Sequence, residues 1–301
     1  MSALKPTVDG LEYRPSIEGQ PPRSIAPSAM ARTITTILLV VALIYFLFPV
    51  LWVIFASTKN NHDIVSTFGF WFGEKVDWSG NWALLTGWQP MFLRWVGNSI
   101  FYSTAAATIG TLLSVSAGYA MAKFRYPGRS VMLGTIMAGL LMPVAILTIP
   151  MVLLFSQIGL NNTIWAVIIP CMVSPFGVFL GNVYATTSVP TELLEAARID
   201  GAGEARIFFT MVIRLLAPAM VTIFLFIFVG TWNNFMLPLM MLSSPELKPV
   251  TVGLYGMMSY YEPQKGAVMM GALIGVLPLI VLFIFLQRYW QSGLAAGAVK
   301  G

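Results

Sequence analysis

Apolar and polar positions follow each other along this chain in long blocks, not in the short periods of a soluble helix or strand. Residues 33–58, 95–122 and 130–191 carry no charged side chain at all. The first two blocks each match one bilayer crossing of about 20 apolar residues; the third is about twice that length and must fold back. The polar stretch from Gln157 to Thr163 is where the reversal is expected, giving spans three and four. Two further apolar blocks, about 216–240 and 266–286, give spans five and six. The pattern therefore predicts an all-α, polytopic transmembrane bundle of about six spans.

Between the spans lie polar segments of different character. Residues 1–32 hold Pro6, Pro15, Pro21, Pro22 and Pro27 and read as a flexible tail, leaving 33–301 as the transmembrane domain. The first apolar block starts too late and runs too long for a cleavable signal, so it is expected to stay as the first span. Residues 59–94 carry Trp71, Trp78, Trp82 and Trp88, residues that favour the headgroup level. Prolines recur within the apolar blocks (Pro49, Pro143, Pro150, Pro170, Pro175, Pro238 and Pro278), predicting helix breaks that are either packed in protein or line a cavity. Gly271 and Gly275 form a GxxxG pair that predicts close helix packing in span six.

Composition agrees with the blocks. Hydrophobic residues make up 57% of the chain, charged residues 10%, and the mean hydropathy is +0.78. A soluble domain carries roughly a quarter of charged residues, so much of this surface faces lipid. One cysteine, Cys171, and one histidine, His62, exclude a His/Cys metal cluster and an intramolecular disulfide. The net charge of +5 shows no stripe suited to nucleic acid. Lys and Arg instead gather in the N-terminal tail, in Lys123–Arg129, in 192–214 and in the C-terminal tail. With six spans, the positive-inside rule then puts both termini and the 185–215 loop in the cytoplasm.

That loop is the most informative segment. Thr191 follows Pro190 and can cap a helix, with Glu192 in its first turn. Leu193, Leu194, Ala197 and Ile199 supply apolar positions, and Ala196 with Ala197 leaves one side thin enough for close docking. Asp200-Gly201 reads as a break, with Gly201 free to take positive φ. A second amphipathic stretch runs from Glu204 towards span five. The expectation is a helix–turn–helix elbow on the cytoplasmic surface.

Glu195-Ala196-Ala197, three residues, then Gly201 resembles the EAA loop of ABC-importer permeases, and Asp200-Gly201-Ala202 with the later Pro218 resembles the carbohydrate class. Thr231-Trp232-Asn233-Asn234-Phe235 is similar to a segment of the same family. The ending Gln287–Gly301 resembles the second, six-span permease of maltose-type sugar transporters. The chain departs from the family at Arg214, where a proline is common, leaving open how the second helix exits. The resemblance implies that Glu195, Ala196, Ala197, Arg198, Asp200, Gly201 and Gly203 couple to an ATPase subunit. It implies a bacterial or archaeal inner-membrane assembly with a second permease as heterodimer partner, two ATP-binding subunits and an extracytoplasmic solute-binding protein. It also implies that the tail from Gly293 to Gly301 reaches the ATPase, although composition alone reads it as a frayed terminus.

The residues themselves locate the energy source outside the chain. No Lys is followed by Ser or Thr, so a GxxxxGK[ST] phosphate loop is absent. The spans hold no ionisable relay or catalytic pair of the kind an ion-coupled carrier or intramembrane enzyme would use. The expectation is a non-enzyme with no cofactor of its own, ATP and Mg being held by the partner ATPase. The alternative is a stand-alone facilitator or an ion-coupled carrier. Polar groups within spans mark a candidate path for cargo: Asn98 and Ser99 in span two, and Trp232, Asn233 and Asn234 in span five. Amide groups beside an aromatic face suit a neutral sugar, whereas the competing reading is interhelical hydrogen bonding.

Overall fold

The computed structural model describes residues 28–258 and 264–298, with side chains described up to Gln287. By its contacts the chain divides into two units, 1–51 and 52–301. Of the first unit, residues 29–51 are described. They form most of α1 (Ala29–Ser57), an apolar helix on which Thr33 and Thr36 bond back to the carbonyls of Ala29 and Arg32. The helix starts four residues before the apolar block, where the Ser28 hydroxyl accepts from the Ala31 N–H; tail residues 1–27 lie outside the described residues.

The regular elements of the second unit are all helices among its described residues. Two short helices, α2 (Asn61–Ser66) and α3 (Trp78–Trp88), occupy the Trp-rich loop, capped by the side chains of Asn60 and Asp77. The long α4 (Phe92–Lys123) follows. The uncharged double block becomes α5 (Arg129–Leu140), α6 (Val144–Gln157), α7 (Trp165–Met172) and α8 (Pro175–Ser188). The elbow contains α9 (Thr191–Ile199), α10 (Glu204–Ile207), a π turn (Phe208–Val212) and α11 (Ile213–Leu215). The chain closes with α12 (Ala217–Trp232), α13 (Met236–Met241), a 3₁₀ turn (Pro245–Leu247), α14 (Val250–Met258) and α15 (Lys265–Ala298).

Four helical stretches are long and apolar enough to cross a membrane: Ala29–Ser57, Phe92–Lys123, Trp165–Ser188 and Lys265–Gln287. Two bent pairs bring the number to six if each counts as one span. Pair α5–α6 bends by 104° at Leu141–Pro143, and Glu204–Leu215 meets α12 at 80° beside Pro218. The expected reversal lies where α6 ends at Gln157 and α7 begins at Trp165. Span five is shorter than the apolar block, because α12 stops at Trp232 and the chain resumes helix only at Met236. Through Arg214 the helical path continues, and the break falls at Leu216, where Pro218 sits in the first turn of α12. The C-terminal stretch from Gly293 is helical to Ala298, and 299–301 lie outside the described residues.

The core forms around α4, which packs most extensively on α8 and α12. Close approach to α8 depends on small residues. A Cβ on Gly118 would stand 2.5 Å from the Asn182 nitrogen, and one on Gly181 would stand 2.9 Å from the Ser114 carbonyl oxygen. Such backbone-to-backbone contact maximises dispersion where lipid offers no hydrophobic drive between helices. The GxxxG of α15 serves the chain's own packing: a Cβ on Gly271 would lie 2.6 Å from Leu254 of α14.

At the α1–α3 end, a small polar knot joins distant segments. Asn81 is buried and donates to the carbonyls of Ser57 and Lys59. The buried Lys59 ammonium donates to the Thr67 hydroxyl and the Phe68 carbonyl, and Asn61 donates to Gln264 while accepting from the Lys265 N–H. Gly118→Val should cost about 1–3 kcal/mol by overpacking against backbone that cannot retreat. Gly97→Ala, with nothing within 4 Å of its Cβ, should be near neutral. Unfolding of the detergent-purified variants in denaturant checks the contrast.

Candidate functional site

Two features gather the chemistry of the chain: the elbow and an open cleft beside the break after α12. In the elbow, α9 is amphipathic over a short length. Leu194 and Ala197 are buried in the main core together with Val189 and Ile207, so α9 is clamped to the body of the protein. Its other face is open. Glu195, Ala196, Arg198, Ile199 and Asp200 are exposed, and Ile199, with 86% of its surface free, is the most exposed large apolar side chain described.

The turn after α9 has the expected left-handed residue. Gly201 takes φ +80°, its N–H bonds to the Arg198 carbonyl and the Ala202 N–H to that of Ala197. A side chain with Cβ in that conformation costs about 1–2 kcal/mol. Gly203 then precedes α10 in extended conformation. Arg198 closes the turn from outside: its Nε lies 2.6 Å from Glu204 Oε1 and its Nη2 3.3 Å from Oε2. That bond raises the already high pKa of the guanidinium. The same guanidinium stands 5.9 Å over the Phe124 ring. Beneath it, Tyr119 lies 5.7 Å from Phe124 and 5.6 Å from Phe208, centroid to centroid. The elbow thus rests on an aromatic seat formed by the end of α4 and the π turn.

The cleft, of about 660 Å³, lies among α6, α7, α8, α12 and α13. Three breaks in the helical backbone meet there: the start of α6 after Pro143, Val173-Ser174 between α7 and α8, and Asn233–Phe235 between α12 and α13. Irregular backbone at membrane depth persists only where protein or a watery cavity satisfies it. Here Ser174 Oγ accepts from the Gly177 N–H, and the Asn234 carbonyl accepts from the Thr251 hydroxyl. Thr148, Cys171, Ser174, Thr231, Asn233 and Asn234 supply polarity, and Phe176, Phe226 and Phe235 supply flat apolar surface. No residue lining the cleft is charged.

The structure sorts the sequence-derived path residues into two groups. Asn233 and Asn234 line the cleft, with Nδ2 of Asn233 donating to Val229 and that of Asn234 lying 3.5 Å from Cys171 Sγ. Trp232 does not; it is buried and stacks on Phe228 at 5.8 Å and 14°. Successive residues on a helix point about 100° apart, so Trp232 and Asn233 cannot share a face. Asn98 and Ser99 lie outside the cleft as well. Asn98 donates to the carbonyls of Glu246 and Lys248, and the buried Ser99 hydroxyl accepts from the Val250 N–H at 2.8 Å. By the same geometry Ala196 and Ala197 do not form one thin side: Ala196 faces out and Ala197 faces the core.

Ile199 and Ser174 were not singled out from the sequence as site residues. Ile199 counted as a helix-forming apolar position, and only three-dimensional burial separates it from Leu194. Ser174 before Pro175 carries a readable signal, a capping residue at a proline break.

Comparison with known proteins places this geometry. The family described as binding-protein-dependent transport system inner membrane component matches residues 110–295, from within α4 through the elbow into α15. The arabinooligosaccharide transport-system permease protein AraQ of Halalkalibacterium halodurans is 35% identical over 211 residues, 70% of this chain and 75% of its own. The lactose transport-system permease protein LacG of Rhizobium radiobacter is 30% identical, over 84% of this chain and 91% of its own. A chain of a bacterial ABC transporter involved in import of the acidic polysaccharide alginate superposes with a TM-score of 0.75, covering 88% of this chain and 99% of that one at 22% identity.

Trp232→Ala should destabilise the chain by about 3–5 kcal/mol, as a buried aromatic does. Asn233→Ala should stay within about 0.5 kcal/mol, since it is exposed and bonded only to its own helix. Chemical unfolding of both variants in detergent reads the difference.

Proposed function

We propose, on the premise that this chain belongs to the family of inner-membrane components of binding-protein-dependent transport systems, that it forms with a second permease the path for a neutral sugar or oligosaccharide. Two ATP-binding subunits, which hold ATP and Mg, drive it from the cytoplasmic side, and an extracytoplasmic binding protein delivers the cargo. The distribution of Lys and Arg supports a cytoplasmic elbow and a bacterial inner-membrane setting. The names of the relatives, which carry arabinooligosaccharides and lactose, support a carbohydrate cargo. So does the cleft, where amides and hydroxyls stand among phenyl rings without a charge.

The single observation that carries the reading is the two-faced elbow. Its inner face, Leu194 and Ala197, is fixed in the core, while Ile199 projects beside Ala196 and the left-handed Gly201. An apolar knob on a helix clamped to the core is the form of an anchor for a partner's pocket. The elbow continues through the π turn and α11 and, past the bend at Leu216, into α12, whose last turn carries Thr231 and is followed directly by Asn233 and Asn234. Displacement of the elbow by an ATPase dimer therefore acts on the helix that borders the cleft. Catalysis belongs to the partner; the chain supplies the lever and the path.

Ile199→Asp should leave folding unchanged within about 0.5 kcal/mol, yet weaken association of the ATP-binding subunit about thirtyfold, the loss of a hot spot worth about 2 kcal/mol. Subunit pull-down titration and ATP-driven cargo uptake in proteoliposomes measure it. Wild-type uptake in this variant, or cargo flux without any ATP-hydrolysing subunit, would overturn the proposal.

A further inference from the structure

Between α4 and α5 the chain turns through Phe124–Gly128 and presents three cations, Lys123, Arg125 and Arg129. None of them forms an ion pair with a described residue, and residues 120–131 contain no acid. The nearby Arg198–Glu204 pair already satisfies its own charges. Arg125, Tyr126, Gly128, Arg129, Ser130 and Val131 line a shallow cleft of about 340 Å³. Two guanidinium groups and a hydroxyl in one cleft match the oxygens of a phosphate.

What lies beyond the cleft decides which phosphate. Helix α5 leaves it directly, and none of its residues is buried. Val131, in the lining itself, is 73% exposed and Met132 beyond it 43%, so the side chains leading out of the cationic cleft are apolar and open. A free anion or an acidic peptide would use the charge and gain nothing from this helix. An anionic phospholipid uses both: headgroup in the cleft, acyl chains along α5. We propose that this cleft binds the phosphate of an anionic phospholipid. The inference rests on the chain's place in the membrane and not on ATPase docking at the elbow, so either can fail without the other.

The full chain, reconstituted in nanodiscs of equal phosphatidylglycerol and phosphatidylcholine and then released into mild detergent, retains lipids that native mass spectrometry can count. Phosphatidylglycerol should dominate. R125Q/R129Q should lower its ratio to phosphatidylcholine by about fivefold per cation removed. R125K/R129K should keep most of the preference, and R32Q/K75Q, which removes the same charge elsewhere, should keep it all. Ser130→Glu tests the cleft with both arginines present and should also lower the ratio. Equal loss in R32Q/K75Q would reduce the effect to net charge and overturn the proposal. So would displacement of the lipid by millimolar inorganic phosphate, which would mark a site for free phosphate. An unchanged ratio in both R125Q/R129Q and Ser130→Glu overturns it as well.

Discussion

A helix broken inside hydrocarbon must find partners for its freed backbone groups within the protein, and this requirement organises the second unit. An unsatisfied N–H or C=O there costs several kcal/mol, without water to compensate. The polar chain between spans has to be held as well, and helix α4 holds much of it. From successive turns Arg94, Trp95, Asn98 and Tyr102 donate to the carbonyls of Pro245, Glu246, Leu247 and Lys248, and Ser99 accepts from Val250. One face of one helix thus holds the whole 245–250 connection. Asn162, at φ +57°, does the same for the next connection: its Oδ1 accepts from Ser243 and Ser244, and its Nδ2 donates to the Ser244 hydroxyl.

With those loops fixed by side chains, three further breaks meet at the open cleft. Continuous apolar helices could fill that volume, but they would offer cargo no polar group. Breaks at Pro143, Ser174 and Asn233 end helices early and put carbonyls, hydroxyls and amides at one place. The glycine-lined contact of α4 with α8 keeps one wall rigid, while α12 leads from the other wall to the elbow. Sixteen residues at 1.5 Å each make α12 about 24 Å long. It links the 80° bend at the end of the elbow to the cleft without an intervening loop.

Much of this was legible in sequence, and the limits have a physical cause. Charge-free blocks marked all six apolar stretches, because lipid tolerates few charges and the signal is additive over twenty residues. The Gly201 turn was legible because one residue type dominates positive φ. What the blocks could not give was direction. Inside a bilayer the inner and outer faces of a span are both apolar, so periodicity does not separate Trp232 in the core from Asn233 on the cleft. Nor does polarity alone say which amide lines the cleft: Asn233 does, whereas Asn98 is bonded to the 245–250 connection.

The elbow inverts that logic, since it meets water on one side. There an exposed apolar residue is informative, and Ile199 stands out where the equally apolar Ile207, fully buried eight residues later, does not. The same holds for charge. Arg198 is paired with Glu204 and stands over the Phe124 ring, so it ties the turn to the end of α4. Glu195 and Asp200 remain exposed on either side of Ile199. On the proposed docking at the elbow, an apolar anchor flanked by exposed acids calls for a hydrophobic pocket with a basic rim. In the assembly proposed above, such a rim would select the ATP-binding subunit, and the strength of coupling would rest on Ile199 and on the core contacts of Leu194 and Ala197 behind it.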